Sequence, residues 1–203
     1  MNIVIVDYGM GNIQSILSTL NHLNVDKVTL SSSIKDFEKA HRIILPGVGN
    51  FAKAINIIKS NKIDIALRRV ALEQKKPLLG ICLGMQLMSS SSTEQGFNHG
   101  LAYVDGEVVK FDNSKVKVPH TGFNQVKINS SSKLFEGISD RSDFYFTHSY
   151  RLQSSANISQ SICNYQDDFI AAFELDNLCG VQFHPELSQS NGLRLLKNFI
   201  NNF

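Results

Sequence analysis

Cysteine is scarce: three residues, an odd number spread over 203, exclude a disulfide framework and fit a reducing compartment. No stretch approaches the roughly 18 uninterrupted apolar residues of a membrane-spanning helix, so no membrane is expected. The charge imbalance is small, with 20 Lys and Arg against 18 Asp and Glu for a net +2. That balance gives no support to a polyanion-binding surface, and no nucleic-acid partner is expected. The opening residues MNIVIVDYG lack a basic n-region and reach Asp7 after only a few apolar residues, so they read as a strand and not a signal peptide. The phosphate-cradling G-x-x-x-x-G-K-[ST] motif is missing. Asp7-Tyr8-Gly9-Met10-Gly11-Asn12 imitates a dinucleotide fingerprint, but Gln14 stands where its third glycine belongs. Cys82, Cys163 and Cys179 lack zinc-ligand spacing, and His22, His41 and His99 read as surface or loop residues. No metal and no cofactor are expected. What is present is 42% hydrophobic residues, enough for the core of one ordinary cytoplasmic domain spanning residues 1–203.

The first half alternates strand and helix patterns. Asn2–Val6 is a short apolar run of the kind buried on both faces. Helical spacing follows at Ile13, Ile16, Leu17, Leu20 and Leu23, then a strand at Lys27–Leu30 and a short helix at Ser33–Lys39. Arg42–Leu45 is a third strand, Phe51 to about Gln74 is helical with a break near Asn61, and Leu78–Ile81 is a fourth strand running into another helix. This order predicts a parallel sheet with right-handed crossovers. Ser89–Thr93 reads as a polar loop. Beyond it lie short strand-like pieces: Glu107–Phe111, Gln125–Ile128, Phe144–Thr147, Phe169–Glu174 and Leu178–Phe183, the last two joined by a turn at Asp176-Asn177. A helix from Ser190 to Phe203 closes the chain.

Three segments can carry chemistry. Gly80-Ile81-Cys82-Leu83-Gly84 has the G-x-nucleophile-x-G form of a sharp strand-to-helix turn. Such a turn lifts Cys82 to a helix N-terminus, where the dipole and free N–H groups favour thiolate, and where the Leu83 N–H can meet an oxyanion. The pentapeptide alone fits equally well a small buried cysteine in a glycine-rich turn. His184-Pro185-Glu186 follows an apolar strand, and proline disfavours helix at His184. If the chain stays extended, His184 and Glu186 point to one side, and the carboxylate can fix the imidazole tautomer. By itself this tripeptide fits a solvated loop, but the elbow cysteine and the His-x-Glu together point to a nucleophile–base–acid triad. Pro46-Gly47-Val48-Gly49 lies past the carboxyl end of a strand, where doubly wound folds bind ligands. Its glycines would let an N–H turn to an oxyanion, and a plain turn is the alternative.

Together these residues resemble the class I (triad) glutamine amidotransferases. The likeness covers nearly the whole chain: DYGMGN, ILPGVG, KPLLGICLGMQL, KVPHTGFNQV, FYFTHSY, GVQFHPE and GLRLLKNF. It implies the family's α/β fold, a flavodoxin-like three-layer sandwich with a central, mostly parallel sheet and an additional β-rich C-terminal half. It implies that Cys82 attacks the carboxamide of L-glutamine, with His184 and Glu186 completing the triad. Gly47, Val48, Gly49 and Leu83 would hold the oxyanion, and Gln86, Thr147, His148 and Ser149 would bind the substrate's amino-acid end. The subfamily resembled passes its ammonia to a separate (β/α)₈-barrel cyclase subunit in a heterodimer of histidine biosynthesis, with Asn12, Phe123 and Leu187 at the partner interface. The family commonly has tryptophan where Phe123 stands and lysine where Leu187 stands. Related paralogues feed barrel-like partners that make amidino sugars of surface polysaccharides, and a non-catalytic binding domain of the same fold is the third alternative.

Overall fold

The computed structural model describes residues 1–165 and 167–203. Its first strand, β1 (Asn2–Val6), alternates strictly: Val4 and Val6 enter one core, and Ile3 and Ile5 another. A run of β-branched residues therefore reads as continuously apolar because both faces are buried. α1 (Ile13–His22), β2 (Lys27–Ser31), α2 (Ile34–Lys39), β3 (Arg42–Leu45), α3 (Phe51–Ser60), α4 (Ile63–Arg68), β4 (Leu78–Ile81) and α5 (Leu83–Leu87) follow. The helical stretch after Phe51 breaks at Asn61 and Lys62, the latter at φ 57°, and ends in a wide π turn, Arg69–Glu73. Side chains cap the N-termini of α2 and α3: Ser33 accepts from the Lys35 N–H at 3.3 Å, and Asn50 from the Lys53 N–H at 2.9 Å.

The second half adds β5 (Ser91–Ser92), β6 (Asn98–His99), β7 (Glu107–Lys110), β8 (His120–Lys127), β9 (Ser142–His148), β10 (Tyr150–Gln153), β11 (Ser159–Tyr165), β12 (Asp167–Leu175), β13 (Leu178–Val181) and α6 (Gln189–Asn202). Among the described residues the main sheet has nine strands in the order β2-β1-β3-β4-β13-β12-β11-β8-β9. The five from β2 to β13 run parallel, and β12, β11, β8 and β9 extend them antiparallel. Helices α1 and α6 cover one face through Ile16, Leu20, Leu195, Leu196 and Phe199, and α2, α3 and α4 cover the other. This makes three layers. A smaller sheet, β10-β7-β5-β6, joins the α2–α4 core through Val108 and Leu152. No helix of the described residues is long and apolar enough to cross a membrane.

The second half departs from the sequence pattern in three places. Ser89–Thr93, read as a loop, contains β5, which pairs with Glu107 and Val108 on one side and with Asn98 and His99 on the other. β8 begins at His120, five residues before the expected Gln125, because the HTGFN segment also pairs with β9, from His120 opposite His148 to Val126 opposite Ser142. β10 and β11 are strands with mixed polar sequences, whose pairing follows from neighbours distant in the chain.

Candidate active site

β3, β4 and β13 are adjacent and parallel, so the segments leaving their carboxyl ends meet at one edge of the sheet. These segments are Pro46–Gly49, Cys82 and His184. Cys82 itself sits at φ 52°, ψ −110°, a backbone conformation L residues rarely adopt. The packing enforces it. A Cβ on Gly84 would run into the Leu45 carbonyl, and one on Gly80 would lie 2.7 Å from the Met85 nitrogen. The small residues on both sides of Cys82 are thus demanded by the turn.

Beyond β13, His184 is extended at φ −99°, ψ 97°. Glu186 does not reach it by the strand alternation that the sequence suggests. Pro185–Leu187 forms a 3₁₀ turn that brings the carboxylate back, and His184 Nδ1 meets Glu186 Oε1 at 2.8 Å. Both side chains are buried. The turn is bolted to β9: the His184 N–H donates to the Tyr145 carbonyl at 2.8 Å, and the Tyr145 N–H to Ser188 Oγ at 2.9 Å. His184 Nε2, buried and without a hydrogen-bond partner among the described residues, is the nitrogen left for Cys82. Burial alone would push the imidazole down. The Cys82 sulfur and then Glu186 outweigh it, lifting His184 from 6.5 to about 10, although sulfur and nitrogen do not meet the geometry of a formal hydrogen bond. Substituting Cys82 by alanine should therefore lower the His184 midpoint well below about 10, readable by NMR titration of its ring. An unchanged midpoint would mean that the sulfur does not act on the imidazole.

A cavity of about 350 Å³ opens beside Cys82, lined also by Val48, Gly49, Leu83, Gln86, Thr147, His148, Ser149 and His184. Most of the residues expected at the site thus share one pocket. Gly47 is the exception in the oxyanion loop. It packs under the pocket, where a Cβ would lie 2.6 Å from Tyr8 Oη, and it turns its carbonyl onto the Leu83 N–H at 3.3 Å. The Leu83 donor, expected free for an oxyanion, is therefore occupied by the chain's own loop. Tyr8 pins the same loop, donating its hydroxyl to the Pro46 carbonyl at 2.7 Å. Burial, and then the Cys82 charge, hold that phenol protonated.

His148, expected to bind the substrate's amino-acid end, lines the pocket with both ring nitrogens engaged inside the chain. Its Nδ1 meets the Tyr150 carbonyl at 2.8 Å and its Nε2 meets His120 Nδ1 at 3.0 Å, so neither ring nitrogen is open to a substrate. Gln86 gives its amide to the Tyr150 carbonyl and to Gln182 Oε1, each at 2.9 Å. Asn12, expected on the partner face, donates its amide to Glu186 Oε1 at 3.1 Å. Phe123 and Leu187 are exposed apolar side chains, 51% and 40% accessible, and Phe123 packs edge-on against Tyr145.

Pro119, Tyr150 and Glu94 complete the pocket lining and were not anticipated. Glu94 lies in a polar stretch with no pattern to single it out. It is placed by accepting from the Phe51 N–H, at the start of α3, at 2.8 Å.

The fold and this site define a class, and comparison with known proteins agrees. The chain belongs to the class-I glutamine amidotransferases, whose family profile matches residues 4–203. Among similar relatives, imidazole glycerol phosphate synthase subunit HisH of Methanosarcina acetivorans is 42% identical over 200 residues, covering 98% of this chain and 97% of that one. Imidazole glycerol phosphate synthase subunit HisH 1 of Campylobacter jejuni is 39% identical over 199 residues, 98% of each chain. Among solved structures, PurLQS from Thermotoga maritima superposes with a TM-score of 0.72 at 16% identity, over 99% of this chain and 98% of that one. The glutaminase domain of Trypanosoma brucei CTPS gives 0.67 at 19% identity, over 98% and 94%. At such identities the structural likeness speaks for the fold alone.

Proposed function

We propose that this chain is the glutaminase subunit of an imidazole glycerol phosphate synthase, acting in L-histidine biosynthesis. The glutaminase chemistry is carried by Cys82 on its strained turn beside an imidazole whose far nitrogen is bonded to a buried glutamate, and the synthase reading is supported by the HisH relatives that match almost the whole chain. In this reading the Cys82 thiolate adds to the side-chain carbonyl carbon of L-glutamine, and the carbonyl electrons move to oxygen. As the tetrahedral adduct collapses, the C–N bond breaks and His184 gives its proton to the departing ammonia. A γ-glutamyl thioester remains and the sulfur carries no charge. The Cys82 share of what holds His184 protonated has then gone and Glu186 alone remains, so the imidazole can take a proton from the water that releases glutamate. The oxyanion needs N–H donors from Leu83 and the Val48 region, so the Gly47 carbonyl must first leave the Leu83 N–H.

The α-ammonium of glutamine needs a carboxylate, and Glu94 supplies one in the pocket wall. Glu94→Gln should raise KM for glutamine by about 10-fold or more, the value of a charge-assisted hydrogen bond, with kcat changed only a few-fold. Steady-state glutaminase kinetics measure it, and an unchanged KM would remove Glu94 from substrate binding.

Free ammonia is mostly protonated near neutral pH and is then no nucleophile, so the product has to be passed on directly. The partner we infer is a (β/α)₈-barrel cyclase subunit, joined with this single amidotransferase domain in a cytoplasmic heterodimer. It would join the ammonia to a phosphorylated ribulosyl aminoimidazole, forming imidazole glycerol phosphate and an aminoimidazole carboxamide ribotide. The exposed Phe123 and Leu187, beside the 3₁₀ turn and β9, suit an apolar partner contact. They also favour a second reading, a barrel partner of amidino-sugar synthesis. Glutamine hydrolysis measured with and without the same organism's histidine-pathway cyclase and its nucleotide acceptor decides. Strong stimulation supports the histidine reading, and none from a cyclase active with ammonia overturns it.

A further inference from the structure

The buried run Leu178–Phe183 contains one polar side chain, Gln182, with 0% exposure. Placing an amide there costs free energy unless its hydrogen bonds are made. The partners it has form a chain whose direction is fixed from a single oxygen. The Tyr150 carbonyl can only accept, and it takes an N–H from Gln86 at 2.9 Å and from His148 at 2.8 Å. Gln86 Nε2 has one further hydrogen, and it faces the Gln182 carboxamide at 2.9 Å. The end of Gln182 that meets it must be the oxygen. The other end, Nε2, then faces Cys82 Sγ at 3.7 Å. Reversing Gln182 would oppose two N–H groups at Gln86 and set a carbonyl oxygen against the sulfur.

The same carbonyl orders the other branch. His148 carries its proton on Nδ1, so Nε2 accepts from His120 Nδ1 at 3.0 Å, and His120 Nε2 faces the Asn124 amide at 3.3 Å. Burial supports this neutral arrangement, lowering His120 to about 4 and His148 to about 3. Neither imidazole competes with His184 for the proton of the site. Their place is to hold the Tyr150 carbonyl where Gln86 needs it.

We propose that Gln182 is a further residue of the thiol site, held in one orientation by the Tyr150 carbonyl through Gln86, and that its amide N–H stabilises negative charge on Cys82 Sγ. This rests on the glutaminase reading for its purpose, since a thiolate nucleophile is what such a donor serves. The other titratable groups about Cys82 are His184 with Glu186 behind it, Tyr8 under the loop, and Glu94 and His148 across the pocket. None of these side chains hydrogen-bonds the Gln182 side chain, whose partners are Gln86 and Cys82.

Gln182→Met keeps the length of the side chain and removes the donor. The rate of Cys82 alkylation by iodoacetamide, followed against pH on the Cys82 peptide by mass spectrometry, should have its midpoint about one unit higher in this variant. That is roughly tenfold less thiolate at pH values below both midpoints. Gln86→Met should shift the midpoint in the same direction, and the double variant should go no further than Gln182→Met, because both act through one bond. If Gln182→Met does not fold, the ¹⁵N resonance of the Gln182 side-chain amide in the wild-type chain reads the same contact. It should move with pH in step with Cys82 alkylation and stop moving in Cys82→Ala. An unchanged midpoint in folded Gln182→Met, or an amide resonance indifferent to Cys82, overturns the proposal. Alkylation needs no turnover, so a chain that hydrolyses no glutamine would defeat the functional reading and leave this measurement standing.

Discussion

In a Cys82→Ala protein, glutamine-dependent turnover with the proposed partner subunit should fall by at least about 10⁴-fold, while the ammonia-dependent reaction of the same complex should stay within about twofold. The asymmetry follows from where Cys82 sits. Its sulfur lies in the pocket with an imidazole beside it and an amide N–H directed at it, which suits it to the proposed nucleophile role. Without the sulfur, the remaining groups can still bind glutamine and polarise it, and they leave only the residual catalysis that binding and an oxyanion site provide. Alanine tolerates the backbone at φ 52° no worse than cysteine, and the side chain removed is small, so folding is little affected. In the proposed complex the ammonia-dependent reaction belongs to the partner subunit and does not involve Cys82. Parallel assays with glutamine and with an ammonium salt test both halves. Glutamine turnover retained in Cys82→Ala would refute the nucleophile assignment, and loss of both activities would show that the substitution disrupts the complex.

How much of this was legible in the sequence depended on whether the information was local. β1, β3 and β4 are runs buried on both faces, and their limits follow from composition and the turns beside them. The elbow around Cys82 is likewise local, because the glycines that permit it are its sequence neighbours. The turn at Pro185–Leu187 was less legible. Proline correctly kept His184 extended, yet the contact with Glu186 comes from a 3₁₀ turn held by β9 and not from strand alternation. The start of β8 is hidden in the sequence because Thr121 and Phe123 are outward-facing, which dilutes the apolar signal over residues whose pairing partner lies more than twenty positions away. The least legible features are those in which a polar group answers a distant one. Asn12 on Glu186, Gly47 on Leu83 and Glu94 on Phe51 are contacts across the sheet edge that no spacing rule anticipates. Gln182 had a signal, a lone amide in a buried apolar run, and its meaning appeared only once Gln86 and Tyr150 were placed beside it.

Glu186→Gln should lower kcat for glutamine hydrolysis by about 10² to 10⁴-fold, with KM much less affected. The carboxylate Oε1 now accepts from both His184 Nδ1 at 2.8 Å and Asn12 Nδ2 at 3.1 Å, while Oε2 is buried and without a partner among the described residues. An amide can keep the oxygen toward His184 and Asn12, but its NH₂ then occupies the place of Oε2 and two donors are buried unsatisfied. Turned the other way, it offers N–H groups to Nδ1 and to the Asn12 amide and imposes the wrong imidazole tautomer. In both orientations the negative charge behind the imidazolium is gone. Burial, which already pushes His184 down, is then opposed by Cys82 alone, so the midpoint falls from about 10. The consequence for rate has a sign. The protonated imidazole that supplies ammonia's proton in the proposed mechanism is depleted earlier as pH rises, so the alkaline limb of the kcat/KM profile should move to lower pH. Stability changes with pH in the matching direction. A raised histidine contributes fully below its unfolded value of 6.5 and loses that contribution as pH climbs through about 10, so the Tm deficit of the variant should be largest near the acidic end of this window and shrink toward its alkaline end. A Glu186→Gln protein with wild-type kcat and an unmoved alkaline limb would show that the glutamate only packs against the turn, and that His184 holds its proton by other means.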